Sequence, residues 1–263
     1  MSTTSSPSAA GASTTAPVVT YCLHLGDDAL VLAQRLAAQV TWAPQLEEDV
    51  ALANIGLDLL GQARSLLEHA GSLEGAERDE DALAFTRHEW EFRNCQLVEQ
   101  PDTDFAVTIA RQLLFSTFQL GLLTALESSA DDVIAGVAAK GVKEVAYHRD
   151  HAEQWTLRLG DGTQTSHERM QAALDRLWPY VHELFQPTPE TAAVVSAGVG
   201  IDPAGLREDW DTSIDDVLRR ATLNRPEVTR KATGGRSGIH TESFGFLLAE
   251  MQHLHRSHPG ATW

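Results

Sequence analysis

Between residues 46 and 70 the apolar positions fall into two rows at helical spacing. Leu46, Val50, Ala53, Leu57, Leu60 and Leu67 form one row; Leu52, Ile55, Leu59, Ala63, Leu66 and Ala70 form the other. The stretch is long enough for about seven turns of helix. Two rows on different sides predict a helix packed by neighbours on more than one face, the central member of a bundle. The remaining chain reads the same way. Asp27 or Asp28 is placed to cap a first helix carrying Leu30, Val31, Ala33, Leu36 and Ala37, and Pro44 opens the central helix, which is expected to close at Gly71. A third helix is expected over residues 79–98, bearing Leu83, Phe85, Trp90 and Phe92, with a break at Pro101. Asp104 caps the most apolar helix of the chain, residues 105–127, and a further helix follows residues 128–132. Its expected buried stripe is Ile134, Val137, Gly141, Val142, Val145, His148, Ala152 and Trp155. Residues 166–185 predict a helix kinked near Pro179. Beyond it come an excursion with a short helix, a helix opened by Asp202 and Pro203, and a last helix reaching Ser257. No convincing alternating strand occurs. The pattern predicts an all-α bundle in one domain, residues 19–263, preceded by a disordered Ser/Thr/Ala/Pro-rich tail, residues 1–18.

Composition narrows the functional classes. The formal net charge of −17 over 263 residues argues against sequence-independent nucleic-acid binding, which needs a basic footprint, and fits a solvated acidic surface. Cys22 and Cys95 make no metal-type spacing and are expected as reduced thiols. The first basic residue is Arg35, so the N-terminus does not read as a signal peptide, and no uninterrupted apolar run approaches membrane-spanning length. A cytoplasmic protein is expected.

The candidate chemistry is sparse. In a diiron helical bundle, two helices each supply a Glu-x-x-His pair and two more each supply a Glu. The corresponding places here hold Leu59 and Gln62 on the central helix, and Val145 and His148 on the later one. One of four expected ligands is present, too few oxygen donors for iron. His148 reads instead as a buried histidine bonded to Glu144, its neighbour one helical turn back. His240, His253, His255 and His258 read as a surface cluster, and the glycine-rich stretch at residues 234–238 as an exposed turn that lacks the features of a phosphate loop.

Several stretches then carry a resemblance: LGDDALVLAQRL, LEEDVALANIGLDLLGQAR, DEDALAFTR, LVEQP followed by DFAVTIARQ, KEVAYH, LGDGT, TGGRSGIHTE and LLAEMQHLHRSHPGATW. In order and spacing they resemble the PaaC subunits of phenylacetyl-CoA 1,2-epoxidase, the ring monooxygenase of aerobic phenylacetate degradation, over residues 21–263. The resemblance implies a ferritin-like helical bundle with extra C-terminal helices. It also implies a structural, non-catalytic role beside a diiron catalytic subunit, PaaA, with no metal or cofactor in this chain. It implies a bridging PaaB subunit and a reductase, PaaE, that brings NADPH, flavin and an iron–sulfur centre. Finally it implies a share in holding phenylacetyl-CoA, for which the stretches to test are Glu47, Glu48, Asp49 and Val50 at a helix start, and Ala192, Ala193 and Val194 in the excursion. Two other readings stand beside it. In one, this chain is itself a catalytic diiron subunit using Asp27, Asp28, Glu144 and His148. In the other it is a free-standing helical protein.

Overall fold

The computed structural model describes the backbone of residues 9–261 and side chains from residue 15 onward. Among the described residues there are nine α-helices, four short 3-10 segments and no strand. Four long helices make the bundle: α1 (Ala9–Gln39), α2 (Leu46–Glu74), α4 (Phe105–Leu126) and α5 (Asp132–Gly160). Short turns join α1 to α2 and α4 to α5 as two antiparallel hairpins. The crossover between the hairpins contains the single-turn helix α3 (Glu80–Phe85). Two hairpins joined by one long crossover is the ferritin-like arrangement. Behind it pack α6 (Gln164–Leu177), α7 (Thr191–Ser196), α8 (Arg207–Arg220) and α9 (Glu242–Ser257).

Local chemistry accounts for the starts of the helices. Asp104 accepts from the Val107 N–H at 3.0 Å, and Asp131 accepts from the Val133 and Ile134 N–H groups at 3.0 Å, each satisfying donors that a helix start leaves free. At the end of α2, Gly75 adopts the left-handed conformation (φ 70°), which costs glycine little. The helix therefore runs one turn beyond Gly71. Gly71 is helical and passes against the Arg78 carbonyl, where a Cβ would sit 1.9 Å away.

The first helix departs from expectation. It begins by Ala9, inside the stretch read as a tail, and Asp27 and Asp28 lie in mid-helix, fully buried, capping nothing. Residues 1–8 lie outside the described residues, as do residues 262–263. The helix expected over residues 79–98 is also cut short. Beyond α3 only a 3-10 turn at Glu89–Glu91 remains, and residues 92–102 are irregular yet largely buried.

Buried carboxylates explain the irregular path, because they take the backbone N–H groups a helix would use. Asp27 accepts from the Arg93 N–H at 2.8 Å, Asp28 from Cys95 at 2.7 Å, and Glu183 from Gln96 at 2.7 Å. Two of the three also meet a guanidinium. Asp27 is paired with Arg87 and Asp28 bidentately with Arg236, while Glu99 accepts from His240 and the Thr241 N–H. Burial pushes the Asp28 carboxyl up while Arg236 pulls against it. For Arg236 burial acts downward, yet the Asp28 charge prevails and holds it above its ordinary value. The glycine-rich stretch is thus no exposed turn. Gly235 lies on the Asn94–Gln96 backbone, where a Cβ would come within 2.2 Å of the Asn94 carbonyl. His240 likewise leaves the expected surface cluster, its side chain fully buried against Glu99.

The helix α4 is buried along nearly its whole length, from Ala106 to Leu126. By length and composition it could cross a membrane, contrary to the expectation from uninterrupted runs. However, 89% of its apolar window is buried by α5, α6 and α8. Pro179 ends α6 and opens a 3-10 segment, Trp178–Phe185, instead of kinking one continuous helix.

Candidate functional site

The inner row of α2 forms the bundle floor: Leu52, Ile55, Leu59 and Ala63 are each completely buried. Burying a leucine or isoleucine this fully contributes about 1.5–3 kcal/mol, so this row anchors α2 to its neighbours. At its centre Gln62 reaches across to two helices. Its amide nitrogen donates to Glu144 on α5 at 3.0 Å, and its amide oxygen accepts from Gln119 on α4 at 3.0 Å. Gly141 makes room for the amide, since a Cβ there would lie 3.4 Å from its nitrogen. Glu144 is also held by Lys140 at 3.2 Å.

This interior adjoins Leu59, Gln62, Val145 and His148, the positions expected from the sequence to correspond to metal ligands of a ferritin-like bundle. The donor set does not fit a metal. Leu59 and Val145 present only hydrocarbon, the Gln62 amide is spent on Gln119 and Glu144, and Glu144 also pairs with Lys140. Among the described residues no three His, Cys, Asp or Glu side chains gather closely enough to hold a metal ion.

His148 is buried, as its place on the stripe implies, but its partner is not Glu144. Its Nε2 lies 3.0 Å from Asp58 Oδ2 on α2. Burial lowers its pKa, opposed by Asp58. A carboxylate inside an otherwise apolar stretch (NIGLDLLG) was the signal available in the sequence for Asp58. Val137, Val142 and Trp155, expected on the buried stripe of α5, are only partly buried; Ala138 and Thr156 take the interior places. The acids proposed as alternative ligands, Asp27 and Asp28, are held by Arg87 and Arg236.

The stretches expected near a ligand are far apart. Glu48 is buried and bonded to His151 at 2.7 Å. Asp49 accepts from the Thr41 and Ala43 N–H groups, tying down the α1–α2 turn. Glu47 and Val50 are exposed. At the other end of α1, Val194 is buried beside Tyr21 and Gly200, Ala192 is exposed and Ala193 half-buried. From Tyr21 to Gln39 the helix alone spans about 27 Å at 1.5 Å per residue, so the two stretches do not form one site.

The larger surprise is the outer row of α2. Leu46 is 73% exposed, Leu57 64%, Val50 53% and Leu60 45%, and Trp42 beside them is bare as well. Only Leu67 of that row is buried. Within this chain α2 is covered on one face, not two. With the half-buried Ala53 between them, the exposed residues of the row step by four, three, four and three, the seam spacing of helices that pair side by side. Ala33, Ala37, Ala53 and Gly56 floor a groove of about 560 Å³ along this seam, walled by Leu30, Val40, Leu57, Leu60, Phe85 and Met251.

The fold and site thus define an all-α, ferritin-like subunit in which the metal positions hold amides and aliphatic side chains. Comparison with known proteins agrees with that class. The model of the family described as phenylacetic acid catabolic protein matches residues 1–263, and the chain belongs to that family. It is 47% identical over 243 residues to a protein of Escherichia coli (strain K12) named as the C component of 1,2-phenylacetyl-CoA epoxidase. The match covers 92% of this chain and 98% of that one.

Proposed function

We propose that this chain is the non-catalytic structural subunit of a multicomponent 1,2-phenylacetyl-CoA epoxidase, pairing with and supporting a diiron catalytic subunit. The observation that carries the reading is the bare apolar seam of α2. A helix that presents leucines at alternating steps of three and four, above a floor of alanine and glycine, is shaped to receive another helix. The non-fitting donor set at Gln62, Gln119 and Glu144 supports placing the iron in the partner. By name, the E. coli relative is one subunit of an epoxidase that acts on phenylacetyl-CoA, which supports the substrate.

In this reading the partner across the seam is the PaaA-type diiron subunit. A PaaB-type subunit bridges the assembly, and a PaaE-type reductase delivers electrons from NADPH through flavin and an iron–sulfur centre. This chain holds none of these cofactors and works in the cytoplasm. Glu48 and Asp49 are committed to internal hydrogen bonds and Val50 to the seam, which leaves Glu47, Ala192 and Ala193 to meet the acyl-CoA.

The test is iron content of the purified chain, alone and coexpressed with the diiron subunit. The expected result is an iron-free lone chain and about two irons per pair, as one diiron centre requires. Stoichiometric iron in the lone chain would overturn the reading. Leu57→Asp together with Leu60→Asp should abolish copurification while the far-ultraviolet circular dichroism of the lone chain stays unchanged.

A further inference from the structure

Arg176, Arg230 and Lys231 converge on one surface pocket in a chain of formal net charge −17. The pocket, of about 490 Å³, lies between the end of α6, the 3-10 segment after it and the loop before residue 234. Gln96, Tyr180, Thr233 and Thr241 also line it. Among the described residues no carboxylate lines it, and none of the three cations forms an ion pair. Arg176 donates to the Thr103 hydroxyl at 3.1 Å, and Arg230 and Lys231 are exposed with no partner. The acids behind the wall are turned inward. Glu99 is held by His240 and the Thr241 N–H, and Glu183 by the N–H groups of Gln96 and Gly234. The positive field reaches a neighbour: His182 titrates below its ordinary value through burial first, then through Lys231 and Arg207.

Three like charges gathered without counter-charge repel one another, and an anion seated among them relieves that repulsion. Guanidinium forks match phosphate oxygens, with lysine adding a point charge. The pocket is of small-molecule size and larger than one phosphate needs. The half-buried ring of Tyr180, its hydroxyl free of hydrogen bonds, offers a flat face to a base.

We propose that this pocket binds the phosphate groups of a nucleotide-type ligand, with Arg230 and Lys231 on one side, Arg176 on the other and Tyr180 as the platform for its ring. Two sources share that chemistry, the nucleotide end of an acyl-CoA and a free nucleotide. The first rests on the function proposed above.

The test is calorimetric titration of the full chain with coenzyme A, ADP and inorganic phosphate, at low and at high salt. Coenzyme A or ADP should bind, more weakly as salt rises. The Arg230→Glu, Lys231→Glu double variant should lose at least about tenfold in affinity, equivalent to about 1.4 kcal/mol. Arg176→Gln should lose severalfold. Tighter binding of coenzyme A assigns the acyl-CoA source; equal or tighter binding of ADP assigns a free nucleotide. No binding of either, binding of inorganic phosphate alone, or binding unchanged in both variants would overturn the proposal. The double variant should still copurify with the diiron subunit. Failure at this pocket therefore leaves the pairing reading standing, and failure to pair leaves this pocket testable.

Discussion

The protein has two polar interiors, and they are put to different uses. Between α2, α4 and α5 a neutral amide is the link, Gln62 joining Gln119 to Glu144, and the other acids of α2 there each meet a histidine, Asp58 with His148 and Glu48 with His151. Between α1, the crossover and the loop before α9, carboxylates meet guanidinium groups, Asp27 with Arg87 and Asp28 with Arg236, beside Glu99 bonded to His240. A ferritin-like bundle that works on oxygen keeps its carboxylates at the first place. Here the carboxylates at the first place are taken one by one by an amide or a histidine, and those at the second pin backbone that forms no regular structure. Buried charge here organises the path of the chain rather than a metal.

That comparison can be broken most forcefully on the charged side. Asp28→Ala strands a buried guanidinium and an unmet Cys95 N–H, and should cost about 3–5 kcal/mol, read as a lower urea midpoint or loss of the folded state. A stability change under about 1 kcal/mol would mean the pair contributes little to holding the crossover. Gly235→Ala drives a methyl into the Asn94 carbonyl and should cost about 1–3 kcal/mol as the loop lifts off the crossover. On the amide side the effect should be smaller. Gln62→Leu leaves the Gln119 amide and one Glu144 oxygen unmatched, costing about 1–3 kcal/mol, and no change in iron content should accompany it.

The smallest expected effect is in pH dependence. His148 and His24 are both held below their ordinary value of 6.5, each chiefly by burial. The unfolded chain therefore takes up protons near pH 6.5 before the folded chain does. Stability is full above that pH and falls as pH drops through the interval down to the lower folded values. His148→Asn should flatten part of that slope in urea titrations between neutral and mildly acid pH. An unchanged slope would mean that His148 takes up its proton at the same pH in the folded and unfolded chain.

The regular helices were legible because their signals are local. Asp104 sits directly before an apolar stretch, and the inner row Leu52, Ile55, Leu59 and Ala63 repeats at the period of a helix. The mismatch at the metal positions was legible for the same reason, since Leu59, Gln62 and Val145 need only be read at their spacing. What could not be read were pairings distant in the chain. Asp28 and Arg236 are separated by 208 residues, and no period in the sequence marks either as buried. Asp58 was hidden from the reading of His148 by the same kind of separation, 90 residues. The outer row of α2 misled in another way. Its spacing suits a helical neighbour, but spacing cannot say whether such a neighbour belongs to the same chain, and within this chain none covers it.

The bare seam has a consequence for the life of the unassembled chain. Two copies laid seam to seam would approach with the exposed Glu47 on each and a net charge of −17 apiece. Self-pairing is disfavoured, and a copy without a partner keeps its leucines in water. Such a surface is what chaperones and proteases survey, so the amount of this subunit that accumulates in a cell should be set by the supply of its partner.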